Sequence, residues 1–217
     1  MDIARIALTR YTTKAFDPEK KVPEELIRQL RTVLRNAPSS VNSQPWHFFM
    51  ASSAEARARV AKAMHGPYAY NEPKVRNASH VFVLCAKKGL DEAHLQAVLE
   101  KENRDGRFAT PEFMANQDRS RRFYVNLHKD QCNDECGWIE RQVYLALGAL
   151  LLAAGALNVD ACTMEGFDAA VLDSELGLSA AGLKPLVVVA LGYRSDDDFN
   201  ARLPKSRLPE EEIFTDL

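Results

Sequence analysis

Asn36-Ala-Pro-Ser-Ser-Val-Asn-Ser-Gln-Pro-Trp-His-Phe48 turns from a polar loop into an aromatic, then apolar, segment. Pro38 and Pro45 block helix continuation. Ser39, Ser40, Asn42, Ser43 and Gln44 between them favour local bonds to the backbone, so the stretch reads as a fixed loop. The alternation that follows, at Trp46, Phe48 and Phe49, suggests a half-buried strand. The commoner meaning of such a pattern is a turn that enters a strand. A rigid polar loop feeding a core strand is also a good place to hold a planar polar ligand, and the residues alone leave both readings open.

Around this loop the chain has ordinary globular statistics. Its 217 residues suit one large domain or two small ones and can bury a real core. Lysine and arginine number 28 against 30 acidic residues, and the net charge of −2 argues against a general nucleic-acid binder. The start, Met1-Asp-Ile-Ala-Arg-Ile, lacks a basic-then-apolar signal segment. No apolar run reaches the roughly 18–20 residues of a membrane helix. The nearest, Val143 to Leu157, is shorter and contains Gly148 and Gly155. Four cysteines are too few for a disulfide scaffold, which makes a reducing cytoplasm the default compartment. With no repeat and no convincing linker, residues 1–217 read as a single domain.

In chain order, Asp2 caps a first helix, and Arg10-Tyr-Thr-Thr-Lys14 leaves it as an extended segment. If it is extended, Arg10, Thr12 and Lys14 share one side, which gives either an anion site or a solvated basic edge. Pro23 starts a helix whose buried face is Leu26, Ile27, Leu30, Val33 and Leu34. A strand follows near 47–51. Ser52-Ser-Ala-Glu55 offers a capping box for a third helix to about Met64. Gly66 to Lys74 reads as a loop carrying Tyr68, Tyr70, Asn71 and Lys74. His80 to Cys85, Val159 to Met164 and Leu186 to Leu191 read as strands.

Asp91 and Thr110 open two polar helices expected to project from the core, the second carrying Phe123 and Tyr124. Asn133-Asp134 caps a helix to Leu157 that is apolar on every side from Val143, which implies burial all round. A second copy of the chain is the usual means of burying such a helix. The last part, about 198–217, has apolar residues but no periodicity, and reads as an arm that docks on something.

Several chemistries find no support. No two glycines have G-x-G spacing, and the phosphate-loop motif is absent. Cys85 and Cys162 fall inside predicted buried strands, where thiols act as small hydrophobes. His128, Cys132 and Cys136 have spacings that suit a metal, but the helix start at Asn133-Asp134 breaks their common face, so no metal is expected. His47 lies along a strand rather than in a nucleophile–base set. The absence of such a set fits an enzyme that relies on a cofactor for its chemistry. Lys205-Ser-Arg207, in an extended arm between prolines, could grip one phosphate from one side; a solvated charged tail is the competing view.

Five short segments then match a known family in order. They are Arg10-Tyr-Thr-Thr-Lys14, Pro38 to His47, Asp105-Gly-Arg-Phe-Ala-Thr-Pro111, Glu165-Gly-Phe-Asp168 and Leu203-Pro-Lys-Ser-Arg-Leu-Pro209. On these residues the chain resembles the bacterial FMN-dependent nitroreductases, most closely their oxygen-insensitive NAD(P)H members. The resemblance implies an α+β fold: a mixed central sheet wrapped by helices, with a C-terminal strand exchanged between subunits of a homodimer. Residues 91–132 would be a helical excursion over the active site, and 198–217 an arm on the partner.

The resemblance also implies a site. Arg10, Lys205 and Arg207 would hold the FMN phosphate and ribityl chain, with Tyr11, Thr12, Thr13 and Ser206 beside them. Lys14, Asn71 and Lys74 would bond the pyrimidine edge of the flavin, and the backbone at Met164, Glu165 and Gly166 the region of N5. Pro38, Ser39, Ser40 and Asn42 would come from the other subunit. Nicotinamide and acceptor would meet Lys14, Asn71 and Lys74 on the flavin side. Val41, Tyr68, Tyr70 and Arg107, with Phe123, Tyr124 and Thr163, would line the rest of their pocket.

No side chain would be catalytic, because flavin N5 carries the chemistry, with Glu165 in support. NADH or NADPH would donate hydride, and nitroaromatics, quinones and, as a further class, dihydropteridines would take it in a two-electron ping-pong scheme. Two alternatives stay open: an NAD(P)H:flavin reductase that releases reduced FMN, and a flavin-holding or helical interaction protein with no turnover. Tyr11, Val41, Tyr124 and Thr163-Met164 depart from the family form, which has His, Thr, Phe and Pro-Ile there. Val41 and Tyr124 bear on acceptor preference.

Overall fold

A computed structural model describes residues 2–217. Its centre is a sheet of β1 (Trp46–Ala51), β2 (His80–Lys87), β3 (Asp160–Met164) and β4 (Leu183–Gly192), in the order β1-β2-β4-β3. Every pairing between these strands is antiparallel, with Phe48 opposite Leu84, Val83 opposite Val188 and Cys162 opposite Ala190. The expected mixed sheet is therefore antiparallel within one chain; the parallel element is an isolated bridge from Thr12 to Ala161. Successive side chains of β2 and β4 alternate between two cores. Phe82, Leu84, Val187 and Val189 face one, and Val81, Val83, Val188 and Ala190 the other.

Helices cover both faces of this sheet. On the first face lie α1 (Ile3–Thr9), α2 (Glu24–Arg35) and α7 (Glu135–Ala156); on the second lie α3 (Ala54–Ala61), α4 (Glu72–Asn77) and α8 (Ala169–Leu176). Asp2 caps α1 by accepting from the Arg5 N–H at 3.1 Å. The α3 cap falls one residue later than expected: Ser53, not Ser52, accepts from Ala56 N–H at 3.1 Å, so the Ser52–Glu55 box does not form. The expected loop at Gly66 to Lys74 is instead a 3₁₀ turn, Gly66–Asn71, running into α4, where Pro73 sits in the first turn and gives up no helical bond.

The polar pair α5 (Glu92–Arg104) and α6 (Pro111–Asn126) is capped by Asp91 and Thr110 as expected. It is anchored by Leu95, Val98, Leu99 and Val125, which are buried.

The helix α7 (Glu135–Ala156) has 22 residues and a best 18-residue window of mean hydropathy 1.3. By length and composition alone it could cross a membrane, contrary to the reading of Val143 to Leu157 as too short. Its Ile139, Val143, Ala146, Leu150 and Ala154 are nevertheless buried in the sheet's first core. Burial all round does not hold within one chain, because Tyr144 and Leu145 are 41% and 54% exposed and Gly148 is exposed too. An apolar stripe at positions 144, 145 and 148 thus lies open. So does the C-terminal arm, with Leu203, Leu208, Ile213, Phe214 and Leu217 all exposed and only a 3₁₀ turn, Phe199–Arg202, and a four-residue helix, α9 (Glu210–Ile213), as regular structure.

Candidate functional site

Arg10 to Lys14 runs out of α1 along the edge of β3, where Thr13 N–H donates to the Ala161 carbonyl at 3.0 Å. Thr13 is fully buried and lines neither cavity described below, while Arg10, Tyr11, Thr12 and Lys14 are half-buried and line the first of them. One buried carboxylate locks this segment to the C-terminal part. Asp198 accepts from Tyr11 OH at 2.7 Å and from Lys14 N–H at 3.1 Å, and Asn200 Nδ2 donates to the Thr12 carbonyl at 2.7 Å. Burial, and then the bond to Asp198, push the Tyr11 phenol up to about 12.

A cavity of about 530 Å³ opens beside this lock, lined by Arg10, Tyr11, Thr12, Lys14, Lys205, Ser206 and Arg207. Lys205 reaches back to donate to the Ala7 carbonyl at 2.5 Å, which holds the arm against α1. Among the described residues no carboxylate lies within ion-pair distance of Arg10, Lys205 or Arg207. Their mutual repulsion is felt. The Arg10 guanidinium is pushed below its usual range by burial and then by Arg207, and the Lys205 ammonium by burial and then by Arg10 and Arg207. Three crowded cations without a counter-charge suit a multiply charged anion.

Lys14 also lines a second cavity of about 410 Å³, with Tyr70, Asn71, Lys74, Cys162, Thr163, Met164, Glu165 and Gly166. Here Lys74 donates to Asn71 Oδ1 at 2.7 Å, and Asn71 Nδ2 donates to the Gly166 carbonyl at 2.9 Å. The ammonium of Lys74 also lies 4.6 Å from the centre of the Tyr70 ring. Burial lowers the Lys74 pKa, Cys162 opposes that shift, and nearby Lys14 adds to it. Glu165 is engaged as well, accepting from Tyr144 OH at 2.5 Å.

The turn needs glycine at 166. A Cβ there would stand 3.0 Å from Tyr68 Cδ1, 3.0 Å from the Tyr70 hydroxyl and 3.2 Å from Asn71 Nδ2. Gly166→Ala is expected to cost about 1–3 kcal/mol by overpacking. A thermal melt of purified protein checks this; an unchanged midpoint would mean that the turn yields freely.

The remaining predicted residues do not join these cavities. Pro38, Ser39, Ser40, Val41 and Asn42 line neither, and nor do Arg107, Phe123 and Tyr124. They gather where α6 meets the 3₁₀ turn Ser40–Asn42, with Phe123 and Tyr124 edge to face at 5.3 Å and both exposed. Within one chain the predicted site is therefore two separate halves.

The rigidity of the loop also has a source that its own residues do not reveal. Ser40 N–H donates to Gln142 Oε1 at 2.8 Å, Arg121 Nε donates to the Val41 carbonyl at 3.0 Å, and Asn42 Nδ2 donates to Glu102 Oε1 at 2.7 Å. Gln142, Glu102, Arg121 and Asp198 were all missed as site residues. Glu102 could have been found, because it extends the apolar stripe of Leu95 and Leu99 on α5, where a solvated charge does not belong.

The metal question changes in detail. A π-turn, Leu127–Gln131, brings His128, Cys132 and Asp134, rather than Cys136, to within 4.8 Å of one another. The His128 Nδ1–Asp134 Oδ1 distance of 2.6 Å is that of a hydrogen-bonded pair, and Arg141 shares the same carboxylate at 3.3 Å. Cys85 and Cys162 are buried, as expected for strand thiols, and burial raises both pKa values.

Known proteins share this architecture. A family described as the nitroreductase family matches residues 7–193. The oxygen-insensitive NAD(P)H nitroreductase of Salmonella typhimurium is 51% identical over all of this chain and all of its own length. The major NAD(P)H-flavin oxidoreductase of Aliivibrio fischeri is 36% identical over 96% of this chain and 95% of its own. The crystal structure of an Exiguobacterium sibiricum protein in complex with FMN superposes with a TM-score of 0.81 over 99% of this chain and 97% of its own, at 22% identity, a likeness of fold. The full-length identity and the family match together establish that this chain belongs to the nitroreductase family.

Proposed function

We propose that this chain is an FMN-dependent NAD(P)H oxidoreductase that reduces nitroaromatics and quinones, with dihydropteridines as a further class. The observation that carries the reading is the line of uncompensated cations: Arg10, Lys205 and Arg207 around one cavity, then Lys14 bordering both cavities, then Lys74 in the second. That donor set fits FMN. The three crowded cations would take the phosphate, while Lys14, Asn71 and Lys74 offer hydrogen-bond donors to a planar ring. The chemistry FMN supplies when bound is two-electron: hydride in from the nicotinamide and hydride out to the acceptor. The chain's own residues bind and orient, and Lys14 and Lys74 hold positive charge beside the ring position.

The two half-sites and the open α7 stripe favour a homodimer in which each copy completes the other's site. Charge and shape favour a place for the arm. β1 is an edge strand, and a groove of about 720 Å³ beside it is lined by Leu34, Phe48, Met50 and Phe82 and rimmed by Arg28, Arg31 and Arg35. The partner's arm would bring Leu208, Ile213 and Phe214 to this groove, and Glu210, Glu211 and Glu212 to its arginines. On this reading the chain is one domain, with 91–132 covering the partner's site and 198–217 as the exchanged arm.

The purified protein is expected to be yellow, with flavin absorption that bleaches on adding NADPH or NADH and returns on adding a nitroaromatic. A chain that carries flavin but does not bleach would remove the oxidoreductase assignment. The similarity to a flavin oxidoreductase supports a second reading, release of reduced flavin, and stopped-flow measurement of whether flavin stays bound through turnover separates the two.

A further inference from the structure

The loop at residues 40–44 holds a conformation that its own residues resist. Val41, Asn42 and Gln44 have φ of 49°, 53° and 46°, in the left-handed region that non-glycine residues rarely occupy and that a β-branched residue such as Val41 avoids most. Such a conformation persists where surrounding structure over-determines it. Here four consecutive residues are held from outside. Besides the bonds to Ser40, Val41 and Asn42 described above, His94 Nε2 lies 2.7 Å from the Ser43 carbonyl.

Two of these four clamps form one unit. Arg121 of α6 is 0% exposed and Glu102 of α5 is 5% exposed, and Arg121 Nη2 donates to Glu102 Oε2 at 2.6 Å. Each also grips the loop: Arg121 through Nε at the Val41 carbonyl, and Glu102 through Oε1 at the Asn42 amide. A buried ion pair is weak evidence for stability, since a packed apolar pair often serves as well, and Arg121 Nη1 is left buried without a partner. What an apolar pair could not do is orient Asn42. With its Nδ2 committed to Glu102, the Asn42 Oδ1 accepts from Gln44 Nε2 at 3.2 Å, which fixes the amide at both ends. Arg107, at the surface, stands 3.8 Å from the same Glu102 carboxylate, so the pair also touches the predicted acceptor side.

We propose that Arg121 and Glu102 are positioning residues: they set the Ser39–Asn42 loop in the geometry that the partner subunit's cofactor requires. The pair makes α5 and α6 the frame of the cofactor loop in addition to any cover they provide. Asn42 then acts through its fixed place in the loop, since its amide nitrogen is already engaged. This assignment rests on the reading of Ser39 to Asn42 as part of an FMN site completed across a dimer.

The test compares FMN titrations of dimeric wild type, Arg121→Lys and Glu102→Gln. Lysine keeps the charge opposite Glu102 but cannot bond both the carboxylate and the Val41 carbonyl with a planar fork. Glutamine keeps an acceptor for Asn42 and loses the charge, so the result stands on either variant if the other fails to fold. Each is expected to raise the FMN dissociation constant about tenfold or more, the weight of one charge-assisted hydrogen bond. The acceptor KM should rise further than kcat falls, because orientation is lost while the chemistry is retained.

Val60→Ala, in the opposite core, supplies the control: it should lower the melting point and leave FMN affinity alone. Variants that melt lower but bind FMN like wild type would overturn the positioning role and leave the functional reading intact. A wild-type chain that takes up no FMN would overturn the functional reading, and the positioning role with it.

Discussion

Replacing Lys205 and Arg207 together by alanine is expected to weaken FMN binding by roughly a hundred- to ten-thousand-fold, because each charge-assisted bond to a phosphate contributes about 1.5–3 kcal/mol. The same change should leave the protein without cofactor no less stable. Among the described residues Arg10, Lys205 and Arg207 crowd together with no carboxylate partner, and burial, then their mutual repulsion, lowers the pKa of Arg10 and of Lys205. Removing two of the three charges relieves it. The loss of the Lys205 bond to the Ala7 carbonyl acts in the opposite direction and is exposed, hence small. The sign is therefore opposite for binding and for stability, which a general loss of structure cannot imitate. Flavin fluorescence titration with a parallel melt checks both, and undiminished binding would move the phosphate site elsewhere.

Ending the chain at Arg207 tests the proposed dimer in the same spirit. The shortened protein keeps every cation named above but loses Leu208, Ile213, Phe214 and Leu217, all exposed in the single chain. Burying such side chains contributes about 1.5–3 kcal/mol each, so roughly 6–12 kcal/mol of association is removed. It is expected to run as a monomer in light scattering and to bind no FMN, although both cavities remain within its chain. A dimer that survives truncation would place the interface on α7 alone. Binding of FMN by a monomer would show that the loop of residues 38–42 is not needed from the partner.

The fold was legible wherever one period dominated. The alternation in β2 and β4, the stripe of Ile27, Leu30 and Leu34, and the caps at Asp2, Asp91 and Thr110 read directly from local rules. Reading failed where a neighbour decides. Gly66 to Asn71 looks like a loop by composition, and its packing beside Gly166, far away in sequence, is a contact that local rules do not see. The open side of α7 looked buried because hydropathy counts apolar residues without saying which of them meet a neighbour.

The candidate site divides the same way. Basic residues in fixed loops at both ends of the chain were visible from spacing. Asp198, Gln142 and the Glu102–Arg121 pair were not, since their partners lie 102 to 187 positions away, or across two helices.

The lock between Tyr11 and Asp198, with Lys205 on Ala7, joins residues 187 and 198 positions apart. Folding during synthesis proceeds from the N-terminus, and contacts this distant in sequence form last. All four strands end by Gly192, ahead of Lys205 and Arg207 in the chain, so the sheet itself needs neither cation. If the proposed site holds, a premature stop between Gly192 and Lys205 is expected to leave a sheet-complete product that binds no FMN.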